Sequence, residues 1–111
     1  MITKKASSFP LRECKVELNK ALGLVMKDIR QSRGLPQEGL GPSQSYISAL
    51  ERGKWKASLD KVEQIAGILT LHPATLLLLA YLRKDPSLDA QALLSQIQAE
   101  LDVHQSNLGA R

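Results

Sequence analysis

Cysteine, aromatic residues and long apolar runs are all scarce in this chain. A single cysteine, Cys14, among 111 residues rules out an internal disulfide and any cysteine-based zinc site. It reads as a partly buried thiol, because a redox sensor needs a thiolate-stabilising setting. His72 and His104 stand apart with no ligand spacing around either, so neither a metal nor a cofactor is expected. The four aromatic residues are Phe9, Tyr46, Trp55 and Tyr81, and β-branched residues are sparse and scattered, which argues against strands. The longest apolar run, Ala74 to Leu82, is interrupted by Thr75 and falls far short of the roughly 20 residues that span a bilayer. No signal-peptide pattern opens the chain, so a cytoplasmic protein without a membrane role is the expectation. Ser48 with Glu51, or Cys14 with His72, lacks the spacing of nucleophile, base and orienting group, and no phosphate loop is present; an enzyme is not expected. Nor is there room for a second domain to hold a small-molecule effector.

What is abundant is leucine and alanine, within a hydrophobic fraction of 43%. That composition makes the chain globular and all-α: one small domain with a helical appendage. The net charge of +4 is unevenly spread. Residues 1–35 carry eight Lys or Arg against three Asp or Glu, whereas residues 85–111 carry one against four. A basic N-terminal portion fits a polyanionic partner, although a solvated surface also produces such an excess.

The stretch from Gly34 to Gly53, GLPQEGLGPSQSYISALERG, organises the rest. Pro42 fixes the chain direction, Ser43 is a preferred N-cap, and Gly53 supplies a left-handed stop, so a short, sharply bounded helix is predicted over about Ser43 to Leu50. Ile47 and Leu50, with Tyr46 beside them, face the domain; Gln44, Ser45, Ser48 and Ala49 form the other face. That face is small, polar and uncharged. A merely solvated helix carries Lys and Glu, whereas short amides and hydroxyls suit close approach to base edges and phosphates. Gln pairs with adenine in the major groove, and Ala meets a thymine methyl.

The string SQSYISALERG, preceded at fixed spacing by Arg30-Gln31-Ser32-Arg33-Gly34-Leu35-Pro36-Gln37, resembles the Cro/repressor-type helix-turn-helix family, also called the xenobiotic-response-element family of transcriptional regulators. The similarity runs from about Leu18 to Leu82. It implies a compact five-helix, lambda-repressor-like domain with a C-terminal amphipathic helix appended. It also implies that Gln37 opens the second helix and bonds a phosphate, that Ser43 caps the recognition helix near a phosphate, and that Gln44, Ser45 and Ala49 face base edges, with Ser48 on the same face. Arg52, Lys54 and Lys56 would lie along the DNA backbone, and Arg30 would pair with Glu51 inside the domain. The sequence departs from the family at one place: only Glu38, Gly39, Leu40, Gly41 and Pro42 separate Gln37 from Ser43, so about one helical turn is missing and the second helix is vestigial.

Around this stretch the remaining elements follow in order. Met1 to Pro10 reads as a flexible basic arm, either an ordinary chain end or a segment reaching along a phosphate backbone. Residues 11–84 make the helix-turn-helix domain. Its first helix is predicted from about Leu11 to Arg33, on the three- and four-residue recurrence of Val16, Leu18, Leu22, Val25, Met26 and Ile29. Lys54-Trp55-Lys56 forms a loop in which two lysines flank an indole, a phosphate-clamping element or a simple cover for the core edge. A fourth helix starts at the Ser58 cap with an apolar stripe of Leu59, Val62, Ile65, Ala66 and Leu69. A fifth, from Pro73 to Lys84, carries leucines on every side and is expected to be buried nearly all round, by the domain alone or with help from the tail or a second subunit. Residues 85–104 are assigned to a last amphipathic helix from Ser87 to about Val103, a candidate oligomerisation element, and residues 105–111 to a frayed tail.

The expected function is therefore sequence-specific binding of double-stranded DNA by a transcriptional regulator acting as a homodimer or higher oligomer. The alternative is an antitoxin-like or accessory protein-interaction module that uses its leucine-rich C-terminal helices.

Overall fold

A computed structural model describes residues 17–108 of the chain. The proposed arm at 1–10, Cys14 and the chain end at 109–111 lie outside the described residues. Among those described, the secondary structure is entirely helical: α1 Leu18–Ser32, a single 3-10 turn Gln37–Leu40, α2 Gln44–Glu51, α3 Leu59–Ile68, α4 Pro73–Lys84 and α5 Ala90–Leu108. The 3-10 turn occupies the place of the vestigial second helix. No single described helix is long and apolar enough to cross a membrane.

α1 is the central rod, packed along α4 on one side and against α2 on another, while α3 closes onto α4. The core joins Leu22, Val25 and Met26 of α1 to Leu40 of the 3-10 turn, Ile47 and Leu50 of α2, Val62, Ile65, Ala66 and Leu69 at α3, and Leu76 and Ala80 of α4. Leu40 is fully buried, so the one apolar residue retained by the shortened segment still plugs the core.

Three helices end the same way. After α1, Gly34 N–H bonds the Gln31 carbonyl and Leu35 N–H that of Arg30; after α2, Gly53 bonds Leu50 and Lys54 bonds Ala49; after α3, Thr70 bonds Gly67 and Leu71 bonds Ala66. These are paired closing bonds that require a left-handed residue. Gly53 provides it at φ 75°, but after α3 the position is filled by Thr70 at φ 58°. A β-branched residue in that region is strained. The Thr70 hydroxyl accepts from Arg33 Nη1 at 2.7 Å, which ties this corner to the end of α1.

Several boundaries differ from the periodicity. Glu17 is extended, at φ −63° and ψ 150°, so α1 begins at Leu18, and the part of the predicted helix from Leu11 to Val16 lies outside the described residues. α5 starts at Ala90, because the Asp89 carboxylate takes the Ala92 N–H at 2.9 Å while Ser87 instead turns its own N–H and hydroxyl to Asp85. It continues to Leu108, so residues 105–108 are helical rather than frayed. Leu59 stands 77% exposed, outside the α3 stripe, because it occupies the first turn before the helix reaches the core.

The domain alone does not bury the leucine-rich helix all round: Leu76 and Ala80 are buried, but Leu79 and Tyr81 are exposed. α1 and α3 cover only part of its circumference. No described side chain of α5 is buried, and Leu94 and Leu101 face solvent.

Candidate nucleic-acid interface

The α2 helix is held at each end by its own sequence. The Ser43 hydroxyl accepts from the Tyr46 N–H at 3.3 Å, and Gly53 closes the other end. Ile47 and Leu50 anchor it in the core at 0% and 2% exposure. Its outer stripe is Gln44, Ser45 and Arg52, all exposed, with Ser48 half-buried between them. These positions are related by helical steps of three and four, so they share one face.

Ala49 does not belong to that face. It is only 5% exposed, which corrects its expected place on the base-facing side. The chain reverses at Gly53 so that Lys54 N–H reaches back to the Ala49 carbonyl at 2.9 Å, and a lone methyl is too short to clear this crowded helix end.

α2 lies unusually close to α1. A methyl placed on Gly23 would come within 2.1 Å of the Leu50 carbonyl oxygen, so the two backbones can approach this closely only because residue 23 has no side chain. The sequence carries a signal for this: a lone glycine inside a helical pattern.

A continuous polar chain runs from the interior to the outer face. Arg30, 8% exposed, grips Glu51, 4% exposed, through Nε to Oε2 at 2.7 Å and Nη2 to Oε1 at 3.1 Å. Its remaining nitrogen, Nη1, donates to the Leu35 carbonyl at 2.8 Å and fixes the turn after α1. The hydrogen bond to Glu51 raises the guanidinium pKa above its already high ordinary value, against the opposing effect of burial, with smaller contributions from the charges of Glu51 and Glu38. Glu51 also accepts from Gln37 Nε2 at 2.9 Å, and Gln37 Oε1 accepts from Gln44 Nε2 at 2.5 Å. The expected Arg30 to Glu51 pair is therefore present, and Gln37 is directed by it despite the shortened second helix.

Beyond α2, Trp55 is half-exposed and stacks at a tilt on Tyr46, with ring centroids 5.4 Å apart, and Lys61 Nζ lies 5.9 Å from the Tyr46 ring centre. Lys54 and Lys56 are exposed on either side of Trp55. Arg52, Lys54 and Lys56 have no ion-pair partner among the described residues, which leaves three cations available beside the polar stripe of α2. Asn19, which no sequence pattern singles out, joins this loop to α1.

The arrangement offers a narrow, polar helix face with cations at its edge and no assembly of nucleophile and base. It suits recognition of a grooved polyanion, with amides and hydroxyls for base edges and ammonium groups for phosphates.

Comparison with known proteins agrees with this geometry. A helix-turn-helix family model matches residues 26–76, spanning the second half of α1 through the start of α4. No curated protein matches the chain. Among solved structures, the crystal structure of the clp gene regulator ClgR from C. glutamicum is similar at 26% identity and a TM-score of 0.57, over 63% of this chain and 95% of that one.

Proposed function

We propose that this chain is a DNA-binding transcriptional regulator of the Cro/repressor helix-turn-helix type that reads double-stranded DNA with α2 in the major groove, as a homodimer. The helix-turn-helix family model over residues 26–76 and the similarity to a gene regulator support this reading. The observation that carries this reading is the outer stripe of α2, whose first residue, Gln44, is held by the buried ion pair through Gln37. With one N–H committed to Gln37, the Gln44 carboxamide keeps its oxygen and its second N–H for an adenine edge. Ser45 and Ser48 supply short hydroxyls beside it, and Ser43 sits at the helix N-terminus, where a phosphate is favoured. Arg52, Lys54 and Lys56 neutralise phosphates and release counterions, which gives affinity without sequence preference.

The dimer is assigned to the surfaces that the domain leaves open. In α5, Leu94 and Leu101 alternate with Ala90, Ile97 and His104 at steps of three and four, the spacing of a two-helix seam. Gln91, Gln98 and Gln105 flank it, so two copies meet without charge repulsion along that side. The same exposed leucines favour a second reading, in which α4 and α5 cover an unrelated protein, as in an antitoxin-like module.

The test compares two variants on the preferred duplex and on mixed-sequence DNA. Gln44→Ala is expected to lose about 1–3 kcal/mol on the preferred duplex only, and Lys56→Ala to weaken both alike and flatten the salt dependence. Equal losses on both DNAs for Gln44→Ala would remove the base-reading role.

A further inference from the structure

Asn19 stands in the first turn of α1, on the opposite side of the sequence motif from the loop that follows α2, yet its side chain holds that loop at two points. Its Nδ2 donates to the Trp55 carbonyl at 2.6 Å, and its Oδ1 accepts from the Ala57 N–H at 3.3 Å. The first of these belongs to the peptide entering Lys56 and the second to the peptide leaving it. One carboxamide therefore brackets Lys56, satisfying a donor and an acceptor that the loop has no secondary structure to satisfy.

Two further contacts fix the same segment. Gly53 lies so close to α1 that an added methyl would meet the Lys20 Cβ at 3.1 Å, and the Trp55 ring rests on Tyr46 of α2. The loop is thus pinned to α1 where it begins and where it ends, with α2 beneath its middle. A pair of merely solvated lysines does not require such anchoring, whereas cations that meet a phosphate backbone gain from being ordered beforehand.

We propose that Asn19 is a positioning residue for phosphate contact: it sets the backbone on both sides of Lys56, and so aims the Lys54 and Lys56 ammonium groups at the DNA backbone beside α2. This inference rests on the reading of that loop as DNA-facing. Because phosphate contact is independent of sequence, the effect of Asn19 extends to any duplex, unlike that of Gln44.

The experiment is a double-mutant cycle in the full-length chain, with binding to a labelled mixed-sequence duplex followed by fluorescence anisotropy across a salt series. Lys54→Ala/Lys56→Ala is expected to bind several-fold more weakly, with a salt slope reduced by about 0.9 for each phosphate that is no longer neutralised. Asn19→Ala is expected to weaken the wild-type background several-fold and to add nothing in the lysine-free background. Asn19→Gln, which keeps the amide but shifts it by one methylene, is expected to behave as Asn19→Ala does, without any change of charge. Faster hydrogen exchange at the Ala57 N–H in both Asn19 variants reports the broken bond independently of DNA.

If the lysine variant loses affinity but Asn19→Ala and Asn19→Gln bind like wild type, or lose the same factor in both backgrounds, the positioning role is overturned while the DNA-facing loop stands. If the lysine variant itself binds like wild type, the DNA-facing loop is wrong and the positioning role falls with it.

Discussion

Gln37 and Gln44 are joined side chain to side chain, the Gln44 Nε2 donating to the Gln37 Oε1 at 2.5 Å, and Gln37 is itself held by the Glu51 carboxylate at 2.9 Å. Two amides at the surface are therefore oriented from inside the domain. Gln37→Ala is expected to leave Gln44 unguided and to lower the ratio of specific to mixed-sequence affinity, with roughly 1–3 kcal/mol of stability lost as one hydrogen bond to a charged group disappears. Gln37→Glu is expected to be worse, since it sets a second carboxylate against Glu51. Urea unfolding checks this, and a Gln37→Glu protein as stable as wild type would contradict the chain of bonds.

The ion pair beneath it carries a different prediction. Arg30→Met leaves the Glu51 carboxylate buried without its cation and is expected to cost about 3–5 kcal/mol of folding stability. The double variant Arg30→Met/Glu51→Leu removes both charges and is expected to recover a large part of that loss. Denaturant midpoints decide it: losses that simply add would mean that the two side chains act separately.

At Gly23 two effects oppose each other. Alanine raises helix propensity by about 1 kcal/mol, but its methyl would stand 2.1 Å from the Leu50 carbonyl, where only backbone movement makes room. Overfilling of this kind costs roughly 1–3 kcal/mol, and it also displaces the α2 backbone. Gly23→Ala is therefore expected to be less stable than wild type despite the better helix former, as thermal unfolding would record. A more stable Gly23→Ala protein would show that α1 and α2 do not meet so closely.

Thr70 runs the other way. Its left-handed backbone costs a branched residue about 1–2 kcal/mol, partly offset by the exposed hydrogen bond from Arg33. Thr70→Gly is expected to raise stability by up to about 1 kcal/mol and to leave DNA affinity unchanged. A clear loss of stability in the same unfolding assay would mean that the Arg33 hydrogen bond outweighs the strain.

Dimerisation is tested on α5, none of whose described side chains is buried. Leu94→Lys/Leu101→Lys is expected to yield a folded monomer by sedimentation, with binding to a paired site weakened more than binding to a single half-site. An unchanged dimer in that variant would move the interface elsewhere.

How much of this is legible from residues alone depends on how local the cause is. Ser43, Gly53 and the spacing of Ile47 and Leu50 bound and orient α2 within ten residues of one another, so the helix and most of its outer face are readable. Arg30 and Glu51 are matched only through the family resemblance, because nothing in the intervening sequence shows that they meet. Ala49 is misplaced because periodicity assigns faces around one helix and takes no account of a chain that doubles back at Gly53. Asn19 is invisible for the same reason on a larger scale, since both of its bonds cross to a loop distant in sequence. How far the domain itself covers the leucine-rich α4 is not legible, because leucine content does not reveal how much neighbouring surface is available to cover it.

The central claim is that this domain selects a particular duplex through the outer face of α2. The most direct measurement is selection of bound sequences from a random duplex pool by the purified full-length protein, followed by affinity for the recovered sequence against salt. The account predicts an inverted repeat with half-site centres about one helical turn apart, bound far more tightly than mixed-sequence DNA at the same salt. A pool that shows no enrichment, with weak binding that disappears as salt rises, would contradict it.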